Sequence, residues 1–248
     1  MPEVECKNLS FSYLIKGKNN TVEVFKDLNI KFENHKFNIL LGESGSGKTT
    51  LLNIIAGIQN QYDGQLTFDG KDARELSIRR RNISYMPQNY VIYDRMTVFD
   101  NIAFPLKFVD ISPEEVLVRV RNIAKRLGIA HCLSRKPKYL SFGQQQRMVL
   151  AKALVKDPDI ILLDEPMTSN DPMIKEYLFD VIKEAKEELN ATIIYVTHDY
   201  MEAIRYGEVL YVINDSKVVA KGTPKELRDS KDPYLVALKS ASVLEEIK

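Results

Sequence analysis

The apolar positions change period along the chain, and each change predicts an element. Val4-Glu5-Cys6-Lys7 and Leu28-Asn29-Ile30-Lys31-Phe32 alternate apolar with polar, the period of half-buried strands, with a turn-rich segment over 16–21 between them. Phe37 to Leu41 is an unbroken apolar run and predicts a buried strand, while Thr49 to Gly57 predicts a helix with apolar residues almost all round it. The region from Asn89 to Val155 is helical in character. Within it Ser112-Pro113-Glu114-Glu115 supplies an N-cap, a proline at the first helical position and a capping-box acid. Val116, Val120, Ile123, Ala124 and Leu127 then share one helical face, and Gly128 ends the helix. The apolar strands Ile160 to Leu163 and Thr192 to Val196 flank a helical pattern over Met173 to Leu189. Val209 to Ile213 and Lys217 to Ala220, on either side of Asn214-Asp215-Ser216, predict a hairpin. Strand and helix alternate as a parallel α/β sheet requires, and no internal repeat, low-complexity tract or Gly/Ser linker interrupts them.

Composition narrows the partners without naming one. The 248 residues carry 35 Lys and Arg against 34 Asp and Glu, a net charge of +1 that gives no electrostatic case for nucleic acid. The 2 cysteines, Cys6 and Cys132, are far apart and lack metal-ligand spacing, so neither a disulfide framework nor a zinc site is expected, and lone thiols suit the cytoplasm. Glu3 and Glu5 stand where a signal peptide would carry positive charge. No apolar run approaches the roughly 20 residues of a membrane span, so a role at a membrane is expected to be exercised from outside it.

Chemistry enters at GESGSGKTT, Gly42 to Thr50, which joins the predicted buried strand to the predicted helix. Gly42-x-x-x-x-Gly47-Lys48-Thr49 is the P-loop spacing. Its glycines let successive backbone N–H groups converge on phosphate oxygens at a helix N-terminus, so Gly42, Ser44, Gly45, Gly47 and Thr50 are expected to line a nucleotide's phosphates. Lys48 would neutralise charge on the β- and γ-phosphates, and the Thr49 hydroxyl would ligate Mg²⁺. Ile160-Ile161-Leu162-Leu163-Asp164-Glu165 delivers two adjacent carboxylates at a strand's C-terminal end, where α/β sheets hold ligands. An acid pair there is also what a helix N-cap needs. Beside a P-loop, Asp164 would hold Mg²⁺ directly or through water and Glu165 would act as general base on the attacking water, which points to hydrolysis. Leu140-Ser141-Phe142-Gly143-Gln144 has capping-box spacing before the helical run Gln145 to Val155. It is either a well-capped helix or a second anion site suited to a γ-phosphate, and a P-loop already has one helix N-terminus of its own, so such a second site would come from another subunit.

Taken in order, these residues resemble the nucleotide-binding subunits of ABC transporters. GESGSGKT is similar to that family's Walker A, IILLDE to its Walker B and LSFGQ to its signature, which usually reads LSGGQ. Tyr13, in LSFSY, resembles the aromatic that stacks on adenine. Gln88, in SYMPQ, resembles the glutamine that touches Mg²⁺ and the attacking water and reports to the membrane subunits. His198, in YVTHD, resembles the histidine that contacts the γ-phosphate. Taken alone, Tyr13 reads as a strand aromatic, Gln88 as a surface amide, and His198 as a residue leading into a helix capped by Asp199 and Glu202. His35 and His131 have no such context and read as surface or structural residues. The resemblance runs from about Val4 to Leu227. It departs from the family pattern at Phe142, in place of a small residue, and at Asn170, where a leucine commonly precedes the aspartate here numbered Asp171.

The resemblance implies an α/β P-loop NTPase core, mainly parallel sheet with flanking helices, carrying an N-terminal antiparallel β subdomain and an inserted α-helical subdomain. The expected division is 1–88 with 156–227 for core and β subdomain, 89–155 for the helical signature subdomain, and 228–248 for a helical tail. It further implies Mg²⁺ and ATP sandwiched in a head-to-tail dimer, homo- or heteromeric, each ATP lying between one subunit's P-loop and the other's Ser141, Gly143 and Gln144. Glu165, His198 and Gln88 are the implied catalytic residues, and Thr49, Gln88 and Asp164 the implied metal ligands. The implied partners are transmembrane permease subunits, docked on the helical region around Asn89 to Lys107, and an extracytoplasmic substrate-binding protein. The implied location is the cytoplasmic face of the cell membrane. TVFDNIAFPLK, RKPKYLSFGQQQRMVLAKAL and YVTHDYMEAIRYGEVLYVINDSKVVAKGTPKEL look most like importer subunits of the sugar-uptake type, without the C-terminal regulatory domain those often carry. The competing readings are an exporter subunit and a soluble P-loop kinase, GTPase or mechanochemical ATPase. No Asn-Lys-x-Asp base-reading motif or sustained heptad supports the soluble class.

Overall fold

The computed structural model of the chain describes residues 3–14, 21–167 and 171–246. In chain order the elements are β1 (Val4–Leu14), β2 (Thr21–Phe32), β3 (Phe37–Leu41), α1 (Lys48–Ala56), β4 (Asp63–Phe68), β5 (Lys71–Asp72), β6 (Ile83–Met86), α2 (Val98–Ala103), α3 (Pro113–Arg126), α4 (Phe142–Leu154), β7 (Ile160–Asp164), α5 (Pro172–Leu189), β8 (Thr192–Thr197), α6 (Tyr200–Tyr206), β9 (Val209–Asn214), β10 (Lys217–Gly222), α7 (Pro224–Arg228) and α8 (Pro233–Glu246). Most of the turn segment expected over 16–21 lies outside the described residues, as does Asn170.

The larger sheet has the order β10-β9-β3-β8-β7-β6. Its neighbours are parallel except for the edge strand β10, which returns antiparallel to β9 through the hairpin. The hairpin turn puts Asp215 and Ser216 both at positive φ, 44° and 63°, the backbone that a two-residue turn between right-twisted strands needs. The smaller sheet, β2-β1-β4-β5, is antiparallel throughout. The fold is therefore α/β, a mostly parallel sheet with flanking helices, joined by an N-terminal antiparallel sheet and, between β6 and β7, a helical layer of α2, α3 and α4.

Side-chain alternation splits the interior in two. Ile39, Leu41, Ile161, Leu163, Ile193 and Tyr195 face one way, toward α4, α5 and α6. Leu40, Ile160, Leu162, Ile194 and Val196 face the other, toward α1 and the smaller sheet. Leu51, Leu52, Ile54 and Ile55 of α1 are fully buried there, because the helix is sandwiched between two sheets. That explains an apolar surface nearly encircling it, each such side chain contributing about 1.5–3 kcal/mol. In α3, Ser112 accepts the Glu115 N–H at 3.2 Å as the N-cap. The capping-box expectation fails on its second half, since the Glu115 carboxylate turns outward to Arg119 at 2.6 Å, its i+4 neighbour.

Candidate functional site

Parallel pairing brings four loops to one edge of the larger sheet. Met86 lies opposite Leu163, Asp164 opposite Val196, and Thr197 opposite Leu41, so β6, β7, β8 and β3 all end together. The residues that follow them, Gln88, Glu165, His198 and the loop from Gly42, are separated by up to 156 positions in sequence yet share one site. In open α/β sheets this edge is where ligands bind.

The phosphate loop is shaped by its glycines and by what crowds them. Gly47 has φ +93°, and a Cβ there would meet the Phe25 ring at 2.7 Å; a Cβ on Gly42 would lie 2.4 Å from the Ile213 carbonyl. Lys48 is buried, and its ammonium donates to the Gly42 and Glu43 carbonyls, both at 2.7 Å, and to the Ser46 hydroxyl at 3.4 Å. Burial pushes this ammonium below the ordinary lysine range, against the pull of the Glu165, Asp164 and Glu43 charges. Ser44 and Gly45 are exposed, and the space above Gly45 is open. The helix start at Lys48 thus presents backbone donors and one cation around an open loop, an arrangement that fits phosphate.

Beside it, the Thr49 hydroxyl donates to Asp164 Oδ1 at 3.1 Å. Asp164 is 1% exposed. Burial raises its carboxyl above the usual carboxylate range, while the Thr49 hydroxyl holds it down; Glu165 adds to the rise, and the Gln88 N–H and the Lys48 charge also oppose it. A buried oxygen pair whose charge is under-solvated gains from a hard cation. Among the described residues no cluster of three His, Cys, Asp or Glu forms a metal cage. Two protein oxygens suit Mg²⁺, which relies on phosphate and water for its remaining ligands.

Glu165 has φ 47°, unusual for a side-chain-bearing residue, and its N–H is fixed to the Val196 carbonyl at 3.0 Å. Its carboxylate is gripped on both oxygens: Gln88 Nε2 donates to Oε2 at 3.1 Å, and His198 Nδ1 lies 3.1 Å from Oε1. Strained backbone held by its surroundings is common at functional sites. Glu165, Gln88 and His198, proposed from three separate stretches of sequence, meet in one hydrogen-bonded row.

The signature residues are arranged differently. Ser141 is the N-cap of α4 and forms a complete capping box, accepting the Gln144 N–H at 3.3 Å and donating its own N–H to Gln144 Oε1 at 3.1 Å. The Gly143 carbonyl accepts from Arg147 Nε at 3.3 Å, one turn on. Ser141, Gly143 and Gln144 thus bond within their own helix start. Phe142, 57% exposed, lines with Gln145 and Gln146 a cavity of about 370 Å³ whose other walls include Gln88, Asp164 and Glu165.

Tyr13 ends up near the phosphate loop, on β1, its ring edge-on to Phe11 and its hydroxyl 3.3 Å from the Thr50 hydroxyl of α1. Thr50 is buried and Tyr13 is 38% exposed. His35 is structural: its Nδ1 lies 2.6 Å from the Asn190 carbonyl. Cys6 and Cys132 are buried and unpaired.

Sequence reasoning missed two supports. The Tyr85 hydroxyl donates to Asn53 Oδ1 at 3.1 Å and reaches Asp164 Oδ2 at 3.5 Å. Glu202, read as half of a capping pair, does something else. Asp199 caps α6 by accepting the Met201 and Glu202 N–H groups, but the Glu202 carboxylate accepts from Tyr195, Thr197 and Lys175 at 3.0, 2.9 and 2.8 Å. It therefore fixes the strand end just before His198. The acid pattern at 199 and 202 pointed to a cap, and only the buried tyrosine and threonine of β8 redirect it.

A family model described as ABC transporter matches residues 25–168, more than half of the chain, spanning the phosphate loop, Gln88, the LSFGQ stretch and Asp164-Glu165 but not Tyr13 or His198. Among solved structures, the chain is similar to MJ0796, a bacterial ABC transporter cassette solved as a dimer, with 29% identity and a TM-score of 0.81 over 89% of this chain and 98% of that one. It shares the fold of the ATP-binding subunit of another ABC transporter at 24% identity and a TM-score of 0.81, over 96% of this chain and 99% of that one.

Proposed function

We propose, from the premise that this chain belongs to the ABC transporter family, that it is the ATP-binding and ATP-hydrolysing subunit of a membrane importer and works as a head-to-tail pair. The observation that carries the reading is the row Gln88–Glu165–His198 beside the Thr49–Asp164 pair, at the mouth of the phosphate loop. Lys48, the loop amides and Ser44, Gly45 and Thr50 bind the phosphates, and the partly exposed Tyr13 ring stacks on adenine. Thr49, Asp164 and Gln88 would hold Mg²⁺, which would supply neutralising charge on the phosphate oxygens. Glu165, its carboxylate oriented by Gln88 and His198, accepts the proton of the attacking water, and His198 is placed to hold the γ-phosphate.

Ser141, Gly143 and Gln144 present a capped helix start whose first amides have no partner within the helix. The exposure of Ser141 and the local bonding of Ser141, Gly143 and Gln144, the last two half-buried, support the reading that they serve ATP held by a second subunit, as does the dimer formed by the related cassette. The segment 89–155 is proposed as the helical signature unit, 1–88 with 156–227 as the ATP-binding unit and 228–248 as a tail. Exposed Val91 and Phe108 support docking of a permease subunit near Asn89 to Lys107. Among the described residues no helix is long and apolar enough to cross a membrane, so the transport path and any extracytoplasmic binding protein belong to partners, with this chain at the cytoplasmic face. Import, of the sugar-uptake type, rests on the likeness of the stretches around Thr97, Leu140 and His198 to importer subunits.

The test is complementation in trans. Ser141→Arg blocks the partner's γ-phosphate and Lys48→Ala spoils the chain's own loop, so each variant alone lacks any intact composite site. Mixed, in a Glu165→Gln background, they form one site from an intact loop and an intact signature. ATP-dependent association of differently tagged chains only in the mixture is expected; ATP-dependent association of Ser141→Arg alone would refute the head-to-tail reading.

A further inference from the structure

We propose that α8 positions the two catalytic loops of this chain relative to each other, the Tyr234 hydroxyl holding the phosphate loop and the Ser242 hydroxyl holding the segment that carries His198. The inference rests on the ATPase reading above and assigns residues outside the matched stretch 25–168.

The Glu43 N–H donates to the Tyr234 hydroxyl at 3.4 Å. The carbonyl of the same residue accepts the Lys48 ammonium at 2.7 Å, so the residue that holds the phosphate-binding lysine is itself held from the C-terminal helix. At the other contact, the Tyr200 N–H donates to the Ser242 hydroxyl at 3.2 Å in a buried setting. Tyr200 opens α6, and its N–H is one of the donors a helix start cannot satisfy internally. Asp199 is already occupied by the Met201 and Glu202 amides, so Ser242 takes the one left over. His198 lies two residues upstream, between this anchor and the Glu202-bound Thr197.

Tyr234 and Ser242 are about two helical turns apart, roughly 12 Å at 1.5 Å per residue. Between them Leu235 and Leu238 are buried, in the same core as Tyr200, Ala203 and Tyr206. The helix is thus a rigid spacer, seated by its leucines and carrying a hydroxyl at each end. One hydroxyl acts on the loop that binds phosphate and the other on the loop that presents the histidine.

The two contacts make separable predictions. Tyr234→Phe keeps the ring and removes only the hydroxyl. It is expected to weaken ATP binding, measured by calorimetry, about five-fold with kcat at saturating ATP unchanged, the effect of losing one ordinary hydrogen bond. Ser242→Ala leaves the phosphate loop alone and is expected to lower kcat about five-fold with the ATP Kd unchanged. Val236→Ala, an exposed position of the same helix, should move neither. A helix that merely covers the core would lower the unfolding midpoint in both hydroxyl variants without dividing affinity from turnover, and that result overturns the proposal. So does a parallel loss of affinity and turnover in either variant. Failure of the unsubstituted chain to bind ATP would instead overturn the ATPase reading, and this inference with it.

Discussion

The edge of the larger sheet and the start of α4 are both polar sites, but they are held in opposite ways. At the sheet edge the Lys48 ammonium is held by its own loop, but the groups around it depend on residues remote in sequence: Thr49 on Asp164, Glu165 on Gln88, His198 and the Val196 carbonyl, and His198 on a strand end fixed by Glu202 and Lys175. At the start of α4, Ser141, Gly143 and Gln144 bond, among the described residues, to one another and to Arg147. The shell around Glu165 is what the proposed general base needs, because such a group must be oriented to a fraction of an ångström. The second region is closed locally by its own capping box, with Ser141 exposed and Gly143 and Gln144 half-buried. The rest of the fold grips this helix one residue further on, through Gln145 to the Pro137 carbonyl, Gln146 to the Pro166 carbonyl and Arg147 to the Leu127 carbonyl.

Three substitutions sharpen that contrast, beginning with the largest effect. Glu165→Gln should lower ATP turnover by roughly 10²–10⁴, the usual loss of a general base, because the amide occupies the same place without accepting the proton. ATP affinity and the unfolding midpoint should be unchanged. Steady-state hydrolysis at the unsubstituted rate would remove Glu165 from the mechanism. Next, Glu202→Ala leaves the Tyr195 hydroxyl, the Thr197 hydroxyl and Lys175 without their shared acceptor in a largely buried place. Stability should fall by about 3 kcal/mol, the low end for breaking a buried charged network since Lys175 retains partial solvent access, and Glu202→Gln should recover part of it. Urea titration reads this as a lower midpoint at unchanged slope. Smallest is Ser141→Ala, which removes one local cap and should cost only about 1 kcal/mol in the same titration. If Ser141→Ala cost as much as Glu202→Ala, the start of α4 would be bound into the fold and the contrast would fail.

The legible parts of the site were those written in contiguous residues. The phosphate loop, the strand before it and the helix after it stand where the pattern of Phe37 to Gly57 puts them, and the box at Ser141 and Gln144 closes on both sides. Each involves residues within about five positions, so backbone geometry alone dictates the contact. The same local logic misread Glu115 and Glu202. Both stand at capping-box spacing, but Arg119 lies one turn on from Glu115, and a buried tyrosine and threonine await Glu202 from β8. A charged side chain goes to the partner that best offsets its desolvation, and that partner need not be near in sequence.

By itself the sequence determined β1 to β3, α1, α3, β7, α5, β8 and the β9–β10 hairpin, the phosphate loop and the capped start of α4, because helix periods, strand alternation and capping are short-range consequences of φ/ψ preference and side-chain reach. Only the tertiary structure decided the strand order β10-β9-β3-β8-β7-β6 and the registers that set Met86 against Leu163, Asp164 against Val196 and Thr197 against Leu41. It alone brought Gln88 and His198 to the two oxygens of Glu165, and Tyr234 to the phosphate loop from 191 positions away. Those choices follow from how whole faces of strands and helices bury against each other, an energy distributed over two cores that no local stretch of residues contains.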